Sequence, residues 1–245
     1  MTQLQAVLFD LDGTLLDYDL VEDLMPHYFR GLTACCAELV PAERLLHALR
    51  QATFAIAGHD GSRTNEEAFE AVFYPITGLT REQLYPHLET FYTEDFPDLR
   101  RYARPRPAAP HVIQTAFDLG HDVVIATNPY FPAIATRERL AWAGVADFPY
   151  HKVTTYENSH YVKPDLRYFQ EILDELACSP EAALVIGDEG MDMVAARIGC
   201  RTYLVPGPAT DRSEISPPPT YEGALEEVAP LLHQLRGENP STEPT

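Results

Sequence analysis

The sequence predicts an α/β protein: a doubly wound, mainly parallel sheet in three layers (α/β/α), with an all-helical domain inserted after the first strand. Two observations predict the sheet and a third predicts the insertion. Short apolar runs recur along the chain and stop abruptly at polar residues, as strands buried on both faces do. From residue 105 onward helical stretches alternate with these runs, which makes βαβ units. Between residues 17 and 104 the alternation breaks, and apolar residues fall at helical spacing instead.

Taken in order, Gln5-Ala6-Val7-Leu8-Phe9 is an apolar run ending at Asp10, and it reads as the first strand. Four further strands are predicted over 122–127, 151–154, 183–187 and 201–205. Helices are predicted between them over 111–119, 131–143, 165–176 and 191–198. The insertion reads as amphipathic helices over roughly 20–40, 41–56, 65–74 and 81–95. Thr64-Asn65-Glu66-Glu67 is a capping box that opens the third of these, so Thr64 reads as structural. Arg104 to Pro110 contains three prolines, and that stiffness suits a hinge of defined geometry. The expected division is a core of residues 1–16 and 105–236, a helical cap domain of 17–104, and a disordered tail of 237–245. Residues 206–220 read as a loop and 221–235 as a helix docking on the core.

The 245 residues are enough for a core carrying a second, smaller domain, and 45% hydrophobic content is that of an ordinary globular protein. A net charge of −19 repels nucleic acid and anionic membrane surfaces, and no basic stripe offsets it. The same field repels a phosphorylated substrate, so a site for one must reverse it locally. The apolar runs are too short to span a membrane, and the first residues lack the basic head and apolar stretch of a signal peptide. The four cysteines form neither a disulfide framework nor a CxxC pair, and reduced thiols in a cytoplasmic protein are expected. Cys35 and Cys36 lie in an apolar stretch and read as small core residues. The nine histidines form no HExxH spacing.

Ligands of parallel sheets bind beyond the carboxyl ends of the strands, and four such ends carry chemistry here. Asp10-Leu11-Asp12-Gly13-Thr14 places two carboxylates at i and i+2 where the backbone must turn tightly. Thr127-Asn128-Pro129 offers a hydroxyl, an amide and backbone N–H groups that could grip a phosphate, though it is also ordinary turn chemistry. Lys163-Pro164-Asp165 puts one of only two lysines in the chain just before a helix, against sixteen arginines. A lysine is a compact point charge, suited to balancing a carboxylate nucleophile and a phosphoryl group. Gly187-Asp188-Glu189-Gly190-Met191-Asp192 places acids at i and i+4 where a strand becomes a helix.

Together, in this order, the four segments resemble the four motifs of the haloacid dehalogenase superfamily. The resemblance spans nearly the whole chain, with the helical insertion placed as in members capped between the first and second motifs. It implies a Rossmann-like core and a Mg²⁺-dependent phosphatase. Asp10 would be the covalent nucleophile. Asp12 would be the general acid and then the base. Mg²⁺ would be held by Asp10, the Asp12 carbonyl and Asp188 in an oxygen shell. Leu11, Thr127, Asn128 and Lys163 would bind the phosphate, Thr127 and Lys163 counting among the catalytic residues. Thr14 and Asp192 would support from outside, Asp192 alternatively serving only as a first-turn acid. Glu189 departs from the small residue usual in the family and is expected to point to solvent.

Within the superfamily, Asp12 argues against halide displacement, which needs no acid to protonate an alkoxide. Phosphonate cleavage relies on a cap lysine, and residues 17–104 contain none. The expected activity is hydrolysis of a small phosphorylated metabolite by a monomer or homodimer, with neither nucleic acid nor membrane as partner. A phosphomutase or a non-catalytic binding protein on the same fold are the alternatives. Candidates for reading the leaving group are His59, Asp60 and Arg63, in a polar loop between cap helices, while Ser159 and His160, in the approach to Lys163, are candidates to border the phosphate pocket.

Overall fold

A four-residue apolar strand buried on both faces has no reason to alternate with polar residues, and β1 (Ala6–Phe9) does not. Its neighbours are β4 (Asp122–Ile125) and β6 (Ala183–Gly187), both parallel, with Leu8 opposite Val124 on one side and Val185 on the other. With β5 (Lys152–Val153), β7 (Arg201–Leu204) and β8 (Tyr221–Glu222) they form a six-stranded parallel sheet in the order β5-β4-β1-β6-β7-β8. This computed structural model describes residues 2–17, 24–207 and 210–237.

Successive β1 side chains point to opposite faces and enter different cores. Val7 and Phe9 pack with α5 (Ala109–Asp118), α6 (Ala133–Trp142) and α9 (Val228–Gly237). Ala6 and Leu8 pack with Tyr168, Phe169, Ile172 and Leu173 of α7 (Leu166–Glu175). These are the three expected layers. The chain runs from β1 outward through β4 to β5, then returns past β1 to build β6, β7 and β8. That reversal opens a crevice beyond the carboxyl ends of β1, β4 and β6.

The insertion leaves and rejoins the core through a two-stranded antiparallel ribbon. In it β2 (Leu16–Asp17) lies beside β3 (Arg104–Pro105), with Leu16 opposite Pro105 and Asp17 opposite Arg104. Between them stand α1 (Met25–Cys35), α2 (Ala42–Gly58), α3 (Asn65–Thr77) and α4 (Arg81–Thr90), then a π-helical turn over Phe91–Asp95 and a 3₁₀ segment over Phe96–Tyr102. The capping box is in place: the Glu67 N–H donates to Thr64 Oγ1 at 3.2 Å and the Thr64 N–H to Glu67 Oε2 at 3.0 Å. The start of α3 also docks on the core. The Asn65 N–H donates to Ser159 O and the Glu66 N–H to Tyr156 O, each at 2.8 Å. Buried Asn65 further donates through Nδ2 to Tyr161 O at 3.3 Å.

The expected boundaries need correction in places. The helix expected over 221–235 begins only at Val228, because Tyr221–Glu222 pairs with Tyr203–Leu204 as the sheet's edge strand. The helix expected over 20–40 is described from Met25 to Cys35, and residues 18–23 lie outside the described residues. Its C-terminal end unwinds into a turn in which Leu39 and Val40 N–H groups both donate to Cys36 O, just before Pro41. The ribbon strands β2 and β3 were not anticipated. Gly237 closes α9, and the rest of the expected tail, 238–245, lies outside the described residues.

Candidate active site

The ladder carries Asp10 to the crevice. Its N–H donates to Ile186 O at 2.8 Å, the last step of the β1–β6 pairing, and the residue is left 7% exposed. The chain then turns through Gly13 at φ +86°, where a Cβ would sit 2.2 Å from Asp188 Oδ2. Only glycine fits there, and its absent side chain is what lets Asp188 approach the first loop. Thr14 Oγ1 donates to Asp188 Oδ1 at 2.9 Å, tying the loops after β1 and β6 together. Arg106, just beyond the ribbon, donates to Gly13 O at 2.7 Å.

Lys163 is the hub. Buried at 3% exposure, its Nζ donates to Asp10 Oδ1 at 2.8 Å and to Asp192 Oδ1 at 2.5 Å. Its backbone N–H donates to Asn128 Oδ1 at 3.2 Å, which joins the loops after β4 and β5. Thr127 is buried, and its carbonyl accepts from Thr154 Oγ1 at 2.6 Å and from the Tyr168 hydroxyl at 2.9 Å. Leu11 is buried, with its carbonyl accepting from the N–H groups of Leu15 and Leu16 at 2.9 Å each. Asp192 takes part twice, accepting from Lys163 and from the Glu189 N–H at 3.3 Å, so it caps α8 (Gly190–Met193) and also belongs to the cluster. Glu189, at the N-terminal end of that short helix, is half-buried rather than fully solvent-facing.

Asp10, Asp188 and Asp192 each offer an oxygen within 4.8 Å of the others, all three buried, around a single ammonium. Burial pushes the Asp10 carboxyl well above the usual carboxylate range. The charge on Lys163 pulls it back, while Asp192 and Asp188 push it further. For Lys163 burial opposes the charged form, and Asp10 and Asp192 outweigh it, raising the ammonium above its ordinary value. Asp188 is pushed up to about 7 by burial and then by Asp192, with the Thr14 hydrogen bond acting the other way. The donor set therefore carries more negative charge than Lys163 balances and consists of hard oxygen ligands. A divalent cation such as Mg²⁺ fits that set.

Asp12 is held by a different partner. Its Oδ2 accepts from Arg139 of α6, a side chain only 1% exposed against 23% for Asp12 itself. Sequence reading missed Arg139. The available signal was a charge on the inward face of α6, in register with Ala135, Thr136 and Trp142. Tyr168, whose ring lies 5.8 Å from Lys163 Nζ, was missed as well.

The specificity candidates His59, Asp60, Arg63 and His160 are placed as follows. His59 Nε2 meets Asn65 Oδ1 at 2.8 Å, and its Nδ1 accepts from the Gly61 N–H at 3.1 Å. Asp60 is exposed and accepts from the Ser62 N–H. Arg63 is exposed. His160 Nδ1 pairs with Glu171 Oε1 at 2.7 Å. On the cap side, a cavity of about 830 Å³ between α1 and α2 is lined by Tyr28, Phe29, Phe73 and Tyr92 and reaches Tyr130 and Phe131, just after Asn128.

A parallel sheet with a helical cap and acids at the ends of β1 and β6 defines a class of α/β hydrolases. The chain belongs to the haloacid dehalogenase-like hydrolase family, whose model matches residues 4–198. Pyrophosphatase PpaX of Bacillus velezensis is 24% identical over 231 residues, covering 93% of this chain and 94% of that protein. The fold is shared with a 2-haloacid dehalogenase from Pseudomonas syringae pv. Tomato, at TM-score 0.63 and 20% identity, covering 94% of this chain and 99% of the other. It is shared also with a predicted phosphoglycolate phosphatase from Haemophilus somnus, at TM-score 0.57 and 15% identity, with the same coverage. Among the described residues no helix is long and apolar enough to cross a membrane.

Proposed function

We propose that the protein is a Mg²⁺-dependent phosphomonoester hydrolase that acts on a small phosphorylated metabolite through an aspartyl-phosphate on Asp10. The observation that carries this reading is the buried cluster of Asp10, Lys163, Asp188 and Asp192, with a second carboxylate, Asp12, two residues beyond the first. Asp10 attacks phosphorus as the bond to the leaving oxygen breaks, and Asp12 gives that oxygen its proton. In the second displacement Asp12 takes a proton from water, which attacks the phosphoryl-aspartate and frees phosphate and Asp10.

Asp10, the Asp12 carbonyl and Asp188 are the residues that would hold Mg²⁺. When bound, the ion supplies positive charge against the phosphoryl oxygens. Lys163 balances the nucleophile, Thr127 and Asn128 bind phosphate oxygens, and Thr14 holds Asp188 in place. These charges supply the local field reversal that a net charge of −19 requires. The four cysteines are free thiols, which supports a reducing, cytoplasmic setting. Acid–base work for Asp12 favours phosphoryl transfer over halide displacement, and the absence of lysine between residues 17 and 104 favours hydrolysis over phosphonate cleavage.

The test is a phosphate-release screen over sugar phosphates, phosphoglycolate, nucleotides and cofactor phosphates, with Mg²⁺ and with EDTA. Release that requires Mg²⁺ is expected, and Asp10→Asn should lower it by about 10⁴-fold or more while the protein stays folded. No release from any ester would overturn the reading. Undiminished activity after exhaustive chelation, or conversion of a hexose 1-phosphate to its isomer without release, would overturn it equally.

A further inference from the structure

A guanidinium is costly to bury, and α6 buries one whole. Arg139 is 1% exposed, and its planar group is fixed from several sides. Nε donates to Ala135 O at 3.4 Å, and one terminal nitrogen donates to Thr136 Oγ1 at 3.2 Å. The Arg139 Cζ lies over the Phe131 ring, 4.6 Å from the centroid. The other terminal nitrogen donates to Asp12 Oδ2. Phe131 is itself held edge-on by Tyr28 of α1, at 5.6 Å between centroids. Asp12, by contrast, lies one residue before the Gly13 turn, with its side chain 23% exposed.

We propose that Arg139 is a positioning residue that aims the Asp12 carboxylate at the leaving-group oxygen. The inference rests on the phosphatase reading above. With Oδ2 held by the guanidinium, the proton passes through Oδ1. In the first displacement it moves from Asp12 Oδ1 to the leaving oxygen as the phosphorus–oxygen bond breaks and the bond from Asp10 forms. In the second, Asp12 Oδ1 receives a proton from the attacking water. Arg139 loses and gains no proton in either. Its lysine replacement could supply charge but not the planar fork that sets direction.

The test is a double-mutant cycle on whichever phosphomonoester the wild type hydrolyses, with Asp12→Ala, Arg139→Met and the pair. Arg139→Met alone should lower kcat by about 10²-fold with KM little changed, within the range of general acid–base catalysis. In the Asp12→Ala background it should lower kcat by less than about twofold, because the carboxylate it aims is gone. Equal losses in both backgrounds would mean that Arg139 supports the fold alone, and the inference would fail. An unchanged kcat in Arg139→Met would also overturn it. If Arg139→Met does not fold, as read by thermal melting, Arg139→Lys takes its place in the cycle, with a smaller kcat loss and the same non-additivity expected.

Aryl esters give a second reading. Phenyl phosphate, a poor leaving group, should lose at least about tenfold more rate in the variant than p-nitrophenyl phosphate, which needs little protonation. A uniform loss across the two esters counts against the inference. A wild type that releases phosphate from no ester at all overturns the phosphatase reading instead.

Discussion

Gly13 has no room for a side chain, and two independent causes act on it. Its φ of +86° is a conformation that L residues adopt at a cost, and the space a Cβ would take is filled by the Asp188 carboxylate. Gly13→Ala should therefore destabilise the protein by about 1–3 kcal/mol, read by urea denaturation, and should also displace Asp188. An unchanged midpoint with full activity would mean that the turn relaxes without strain. At this scale the sequence was informative wherever chemistry is written in consecutive residues. The two aspartates flanking Leu11, the glycine after them and the rare lysine before Pro164 were all legible. Arg139 was not, because the pairing that gives it meaning joins positions 127 residues apart. Glu189, expected to point to solvent, is half-buried at the start of a helix that the sequence placed one residue late.

Among the elements, long buried strands were predicted well, and most of the two-residue strands were not. β6 was expected over the residues it occupies, since five consecutive buried positions leave an unmistakable apolar run. β2, β3 and β8 are two residues each and went unpredicted, whereas β5, equally short, was expected over 151–154. α3 shows both sides of this division. Its capping box is an i to i+3 relation and was legible, whereas its docking through Asn65 on Tyr161 reaches across 96 positions. Thr64→Ala should cost about 1 kcal/mol of stability, because it orphans the Glu67 N–H. Asn65→Ala should cost more, about 1–3 kcal/mol, by leaving buried carbonyl and imidazole partners unsatisfied. A comparison of the two by chemical denaturation checks that order.

Charge ties the whole molecule to its conditions. The Asp188 carboxyl is raised from 3.8 to about 7, so folding favours its neutral form. The unfolded chain releases that proton as pH climbs past about 4, while the metal-free folded protein keeps it until about 7. Burial of this one acid thus lowers stability progressively across that window, by at most about 4 kcal/mol when complete. In EDTA, Asp188→Asn should match the wild type near pH 4 and exceed its stability at pH 8, as measured by denaturation at both values. A gap that narrows with rising pH would reverse the sign and contradict the account. Mg²⁺ should act in the opposite sense. At a hundred times its dissociation constant it should stabilise the wild type by about 2.7 kcal/mol and raise its Tm, with little effect on Asp188→Asn.

The ribbon of β2 and β3 brings the two ends of the insertion side by side, Asp17 against Arg104. For the sheet, everything between those residues is therefore a loop already closed. A loop's length burdens the fold it interrupts only logarithmically, by about 0.6 kcal/mol for each doubling. The core can thus carry helices of almost any number and shape at this one seam. Asp10, Asp12, Lys163 and Asp188, the groups proposed to react, all lie on the core side of it, so on that reading a change of substrate need not disturb them.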